Sequence, residues 1–309
     1  MRPFSASEIT GTWATVLLPI NADDSIDYAR LRDEIAYLTL SGVNGLYSGG
    51  TASEFYTLTE KEFYQVNEMM AELCESAGMP FQIGATHTSA QQCLDRVKTA
   101  AKLKPVAIQV ILPDWFPLSD DEALAFLMRV AAAADPIGIV LYNPPHAKRV
   151  LAPESYQRLI DAIPTLVGVK VGGGDVAWYD AMRRYQGRLS VFVPGHHLAT
   201  GYQQGAAGSY SNVACLHPTG ARNWFALMQE DIAAAITMQT RLQQFMDQCI
   251  MPFAHAGYSN QALDKLLAAI GGWANIGTRL RWPYRSISEE EVPRLRTVAL
   301  DYVPELFTS

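Results

Sequence analysis

An eight-fold parallel β/α barrel is the fold class this sequence predicts, and three observations predict it. Short apolar runs recur at a spacing close to one β-α unit, several of them are continuous rather than alternating, and amphipathic stretches fill the intervals. A run such as Val106-Ala107-Ile108-Gln109-Val110-Ile111-Leu112 fits a strand buried on both faces, as parallel strands are.

The runs lie at residues 12–19, 45–48, 81–84, 106–112, 137–143, 166–171, 190–194 and 208–211. With their ends at Pro19, Ser48, Gly84, Leu112, Tyr142, Lys170, Pro194 and Ser211, the spacings are 29, 36, 28, 30, 28, 24 and 17 residues. Strand followed by helix at that rhythm gives a parallel sheet, and eight units can close into a barrel. An open doubly wound sheet is the competitor. Against it, neither G-x-G-x-x-G nor G-x-x-x-x-G-K-[ST] follows any run.

Between the strands, Leu31, Ile35 and Leu38 mark one helical stripe, and Phe63, Val66, Met70 and Leu73 mark another. Thr59-x-x-Glu62 and Ser119-x-x-Glu122 read as capping boxes, and Thr88 or Ser89 as the cap of a helix beginning Ala90-Gln91-Gln92. Beyond the last strand the chain reads as helices over 219–248, 261–270 and 289–302, broken at Gly257-Tyr258-Ser259 and Gly271-Gly272. The expected organisation is a barrel over 1–230 and C-terminal helices over 231–309 packed on it.

Composition bounds the partners. Of 309 residues 49% are hydrophobic and 18% charged, as in a soluble globule. No apolar run approaches the roughly 18–20 residues a membrane span needs, and Met1-Arg2-Pro3-Phe4-Ser5 lacks a secretory apolar stretch. A cytoplasmic protein is the default expectation, with no membrane partner. A net charge of −7 and a pI near 5.4 argue against nucleic acid, whose phosphates call for clustered Lys and Arg. Cys74, Cys93, Cys215 and Cys249 show no C-x-x-C pair, and read as reduced cysteines in or near the core.

In barrels the chemistry sits at the C-terminal ends of the strands. Lys170 ends Leu166-Val167-Gly168-Val169-Lys170-Val171, where alternation puts Gly168, Lys170 and Gly172 on one face and the three valines on the other. With the valines toward the helices, the amine points into the barrel mouth. Burial there disfavours the ammonium and makes an amine nucleophilic, whereas at its free pKa only roughly one lysine in 10³ is neutral near pH 7. Tyr142 lies 28 residues earlier, one β-α unit, so the two end adjacent strands. A phenol at that range can shuttle a proton to or from an amine or an alkoxide. Gly49-Gly50-Thr51-Ala52-Ser53-Glu54 offers exposed backbone N–H groups to a carboxylate.

These segments, with Leu58-Thr59 and Glu62, Tyr142-Asn143-Pro144-Pro145, Gly168-Val169-Lys170 and the weaker Gly205-x-x-Gly208-x-x-Ser211, resemble one family over nearly the whole chain. It is the dihydrodipicolinate synthase / N-acetylneuraminate lyase family of class I lyases. The resemblance implies that Lys170 forms an imine with a pyruvate-like 2-oxo acid, with no cofactor beyond that covalent imine. It implies Tyr142 as acid/base, and Thr51 as holder of the substrate carboxylate through its hydroxyl and the N–H groups of Thr51 and Ala52. A homotetramer is the quaternary arrangement it implies. Gly50, Ala52, Trp115, Gly195, His196, Tyr210 and Ser211 are the candidate substrate contacts.

Departures from the family pattern narrow the reading. Ala52 and Ser53 stand where Thr and Gly are usual, and Trp115 where a tyrosine is common; an indole N–H cannot relay protons as a phenol does. The arginine that dihydrodipicolinate synthases carry shortly after the Tyr-Asn motif is replaced by Pro145-His146-Ala147-Lys148-Arg149, out of step with that pattern. A lyase other than a true dihydrodipicolinate synthase is therefore expected. A 2-oxo-3-deoxy sugar-acid dehydratase, a hydroxy-pyrroline-carboxylate deaminase and a non-catalytic 2-oxo acid sensor are the alternatives. His146, His196 and His197 read as contacts to a substrate tail, as a second acid/base, or as solvated histidines. A metal site built on them lacks the carboxylate-plus-histidine spacing such sites use.

Overall fold

The computed structural model describes residues 1–308; the final residue of the expected C-terminal segment, 309, lies outside the described residues. The strands are β1 (Gly11–Thr15), β2 (Gly45–Tyr47), β3 (Phe81–Gly84), β4 (Ala107–Val110), β5 (Gly138–Asn143), β6 (Leu166–Val171), β7 (Ser190–Val193) and β8 (Gly208–Tyr210). They run parallel in sequence order and close when β8 pairs with β1. The chain is an eight-stranded (β/α)8 barrel.

Helices α1 (Tyr28–Leu40), α2 (Glu60–Ala77), α3 (Ala90–Lys102), α4 (Asp120–Ala134), α5 (Ser155–Ala162), α6 (Val176–Arg183) and α7 (Leu198–Gln203) return the chain between strands. Their starts follow local chemistry. Thr59–Glu62 and Ser119–Glu122 both form reciprocal capping boxes, and Ser89 caps α3.

After β8 come α8 (Asn212–Leu216), α9 (Pro218–Glu230), α10 (Ile232–Phe245), α11 (Met251–His255), α12 (Asn260–Gly271) and α13 (Val292–Tyr302). Here the sequence reading needs correction, because 219–248 is not one helix. Asp231 interrupts it by accepting from the Ala234 N–H at 3.0 Å, which starts α10 afresh. Helix α12 packs on α8, and α10 packs on α9 and α7, so the C-terminal helices lie against the barrel's own.

Two apolar cores result. The larger lies between strands and helices and includes Leu46, Ile83, Val169, Leu242 and Leu266. The smaller takes Trp13, Tyr47, Val140, Val167, Phe192 and Tyr210 from strands all round the ring, which places it inside the barrel. Val167 was expected beside Val169 and Val171. A register shift between Ile139 and Val140 leaves it opposite no partner and turns it inward, onto Gly138.

The first strand also ends earlier than its apolar run, at Thr15 rather than Pro19. The N–H of Leu17 is taken at 2.7 Å by the Glu34 carboxyl of α1, so the ladder cannot continue there. Among the described residues, no helix is long and apolar enough to cross a membrane.

Candidate active site

Register places the two principal residues. Tyr142 of β5 is the direct partner of Lys170 of β6, and both side chains enter a cavity of about 720 Å³ at the C-terminal mouth of the barrel. The Lys170 Nζ stands 4.2 Å from the centroid of the Tyr142 ring, 5.0 Å from that of Tyr47 and 5.4 Å from that of Tyr210. Three rings therefore replace much of the amine's water, while π-faces offer it only partial compensation. Burial pushes its pKa down to about 8, against a smaller upward pull from Asp264 and Cys215. About one amine in ten is then neutral at pH 7, against roughly one in 10³ for an ordinary lysine.

Tyr142 has its own partner. The Thr51 hydroxyl donates to the Tyr142 oxygen at 3.4 Å, which joins the β2 loop to the lysine–tyrosine pair. Burial raises the phenol's pKa and the Thr51 bond opposes it, so the neutral phenol prevails near neutrality.

The β2 loop owes its shape to close packing. Gly49 lies in the left-handed region (φ 64°), and a Cβ there would fall 2.1 Å from the Gly84 carbonyl oxygen. Thr51 and Ala52 consequently reach the cavity wall. Ser53 turns away and donates to the Val16 carbonyl at 2.6 Å. Glu54, also left-handed (φ 50°), is wholly buried and pairs with Lys265 of α12 at 2.5 Å. Glu62 of the capping box receives two bonds from Arg281, at 3.0 and 2.8 Å. The acidic residues of this segment thus anchor the loop to α12 and to the connection that follows it. Asn143 works similarly: it donates to the Arg149 carbonyl at 2.8 Å and accepts from the Leu151 N–H at 2.7 Å, closing the loop that carries His146 to the wall.

The candidate contacts divide. Ala52, His196 and Tyr210 line the cavity with Lys170, Tyr142 and Thr51. The Tyr210 hydroxyl is already committed to Gln82 at 2.7 Å. The other four do not reach the wall, and each has a physical reason. Gly50 backs onto the Tyr47 ring, and Ser211 caps α8 through the Ala214 N–H at 3.1 Å. Gly195 lies so close to Ser211 that a Cβ would sit 2.4 Å from its hydroxyl. Trp115 is 85% exposed on the loop after β4, its ring beneath the Lys148 ammonium.

His196 is not the solvated histidine of the bland reading. Its Nδ1 meets the Asn212 amide at 2.9 Å and its ring stacks on His197, with centroids 4.1 Å apart. Burial, then the neighbouring His197, drives its pKa down to about 4 and keeps it neutral. His197 bonds Gln243 of α10 at 3.0 Å.

The residue that sequence reasoning missed is Asp264. It lines the cavity from α12, and burial lifts its pKa to about 7 while Lys170 pulls it back. A signal was present, since Asp264-Lys265 interrupts a helix otherwise apolar on most sides, from Ala262 and Leu263 to Leu266, Leu267 and Ala268. All four cysteines are buried and free; Cys215 lines the cavity with its thiol pKa raised by burial, which keeps it protonated.

Comparison with known proteins adds a lineage to this geometry. The model of the dihydrodipicolinate synthetase family matches residues 8–300. A 4-hydroxy-tetrahydrodipicolinate synthase of Acidobacterium capsulatum is 25% identical, over 94% of this chain and 95% of its own. An N-acetylneuraminate lyase of Enterobacter sp. is 23% identical, over 97% of this chain and 99% of its own. Among solved structures, a prophage protein of the dihydrodipicolinic acid synthase family from E. coli K12, in complex with pyruvate, superimposes with a TM-score of 0.83 at 21% identity, covering 95% of this chain and 98% of that one.

Proposed function

Since the chain belongs to the dihydrodipicolinate synthetase family, whose relatives include lyases, we propose that it is a class I lyase acting through Lys170 on a pyruvate-like 2-oxo acid. The observation that carries this is the Lys170 amine, caged by three rings, with a pKa near 8 and Tyr142 beside it. The neutral amine attacks the C2 ketone, the carbinolamine takes up a proton from solvent and loses water, and the resulting protonated imine draws electrons from the C3–C4 bond as it breaks. The phenolate form of Tyr142, a minor species beside its neutral phenol, takes the proton of the C4 hydroxyl in cleavage, and the resulting phenol returns it in synthesis. The Thr51 hydroxyl, with the N–H groups of Thr51 and Ala52, holds the carboxylate.

The second substrate is neutral or cationic in its tail. Among the described residues, Lys170 is the only lysine or arginine on the cavity wall, and His196, Asn212, Gln243 and Asp247 occupy the far side. Arg149, at the segment where a synthase arginine was sought, pairs instead with Asp120 outside the cavity. That supports a lyase other than a dihydrodipicolinate synthase. Exposed Trp115 and Phe116 favour a homo-oligomer that covers them.

Borohydride reduction with pyruvate is the test. A stable added mass on the peptide carrying Lys170, absent from Lys170→Ala, is expected; equal labelling of the variant would overturn the assignment. Incubation with 2-oxo-3-deoxy sugar acids then separates the outcomes, because pyruvate release supports carbon–carbon cleavage and a 2-oxo acid product without pyruvate refutes it.

A further inference from the structure

The lumen of the barrel carries a row of polar side chains that the lysine–tyrosine pair does not use. Trp13, Val140, Val167 and Phe192 line that lumen with apolar groups. Among them, the Tyr210 hydroxyl of β8 donates to the Gln82 Oε1 of β3 at 2.7 Å, and the Gln82 amide donates to the Gln109 Oε1 of β4 at 3.4 Å. Strand β3 is reached from β8 only by way of β1 and β2, so the tyrosine spans the lumen. Both glutamines are fully buried and off the cavity wall, whereas Tyr210 lines it.

The ring between these two ends is part of the Lys170 surroundings. Its centroid lies 5.4 Å from Nζ and 4.8 Å from the centroid of Tyr47, which is itself 5.0 Å from Nζ. Phe192 and Trp13 pack on Tyr210 at 4.6 and 6.0 Å. A simpler layer was open to the sequence, because phenylalanine at 210 with leucine at 82 leaves no buried polar group to satisfy. What the hydroxyl adds is a second anchor. A ring tied by its backbone on β8 and by its oxygen on β3 cannot tilt into the cavity, so it keeps water from that side of the amine.

We propose that Gln82, acting through the Tyr210 hydroxyl, is a positioning residue that holds the aromatic floor against the Lys170 amine. That this serves imine formation rests on the Schiff-base reading above. Gln82 is far from the reacting atoms and reaches the amine only through the tyrosine. Without its acceptor, the buried phenol O–H has no partner, and it regains one by turning toward solvent in the cavity. The ring then leaves the amine's side, water takes its place, and the ammonium form is favoured. Removing both polar groups together leaves nothing to solvate, so the ring stays where packing puts it.

The test is competitive acetylation of Lys170 across pH, beside the rate of borohydride-quenched imine formation with pyruvate. Both are measured in the full chain, in Gln82→Met, and in Gln82→Met combined with Tyr210→Phe, with a circular-dichroism melt of each to establish folding. Gln82→Met is expected to move the Lys170 midpoint up from about 8 by about one pH unit. Imine formation should then be about tenfold slower at pH 7, with the defect closing above about pH 10. The double variant is expected to bring the rate back to within about twofold of the parent, and the midpoint with it. A merely structural Gln82 lowers the melting temperature and leaves the midpoint in place, and that result would overturn the proposal. So would a midpoint that moves in Gln82→Met and is not restored in the double variant. Where Gln82→Met does not fold, Tyr210→Leu removes the ring together with its anchor and must give the same upward shift; an unmoved midpoint there overturns the proposal as well. These outcomes in a parent that traps pyruvate overturn this inference alone. A parent that forms no imine at Lys170 overturns it together with the reading beneath it.

Discussion

At the barrel mouth Lys170 faces three aromatic rings, whereas at the junction of the β2 loop with α12 Lys265 faces the Glu54 carboxylate at 2.5 Å. Both amines are drawn out of bulk water, and burial lowers the pKa of both. What separates them is compensation. Glu54 and Glu34 pull the Lys265 pKa back up, and the Arg279 carbonyl accepts a further bond from it, so its charge is satisfied and chemically inert. Lys170 has no carboxylate within salt-bridge distance and only a partial upward pull from Asp264, so about one amine in ten stays neutral at pH 7. Burial alone does not make a nucleophile; burial without a paired counter-ion does.

Tyr142→Phe isolates the mouth and carries the largest expected effect. Lys170 should still be trapped by pyruvate and borohydride, while turnover falls about 10²–10⁴-fold, because the imine forms without its acid/base. Turnover within twofold of the parent would remove Tyr142 from the chemistry. Lys265→Met breaks the junction. It strands Glu54, and urea unfolding should record a loss of about 3–5 kcal/mol, with trapping at Lys170 intact below the melting point. Stability unchanged within about 0.5 kcal/mol would mean the pair is not the anchor described.

The same substitution at the other lysine should have the opposite sign. A lysine whose folded pKa lies below its unfolded value destabilises the fold while protonated. That penalty is full below about pH 8 and fades as pH rises toward the unfolded value. Lys170→Met should therefore raise stability at pH 7 by on the order of 1–3 kcal/mol, with the gain vanishing above about pH 10. A loss at pH 7 would make Lys170 a structural residue like Lys265.

The sequence carried the fold because its strands are short, apolar and evenly spaced, and local residues alone decide such runs. The Tyr142–Lys170 pairing was legible for the same reason: a spacing of one β-α unit puts two residues on adjacent strands at one height. The capping boxes at Thr59 and Ser119 were equally local. What escaped depends on contacts distant in the chain. Glu54 reads as part of a loop motif until Lys265, some two hundred residues later, is set against it. Asp264 escaped likewise, because only the docking of α12 on α8 brings it to the cavity wall. The exposure of Trp115 escaped because the course of the loop after β4 is set by contacts such as Lys148 over its ring, which lie more than one β-α unit away in the chain.

The comparison of the two lysines comes down to which of them titrates as a free amine. Competitive acetylation at a series of pH values, with peptide mass spectrometry of every lysine, reads this directly. Lys170 should reach half its limiting reactivity at about pH 8 while Lys265 stays unlabelled in the folded protein. Should Lys170 titrate with the surface lysines above about pH 10, or Lys265 label as readily as Lys170, the account would be contradicted.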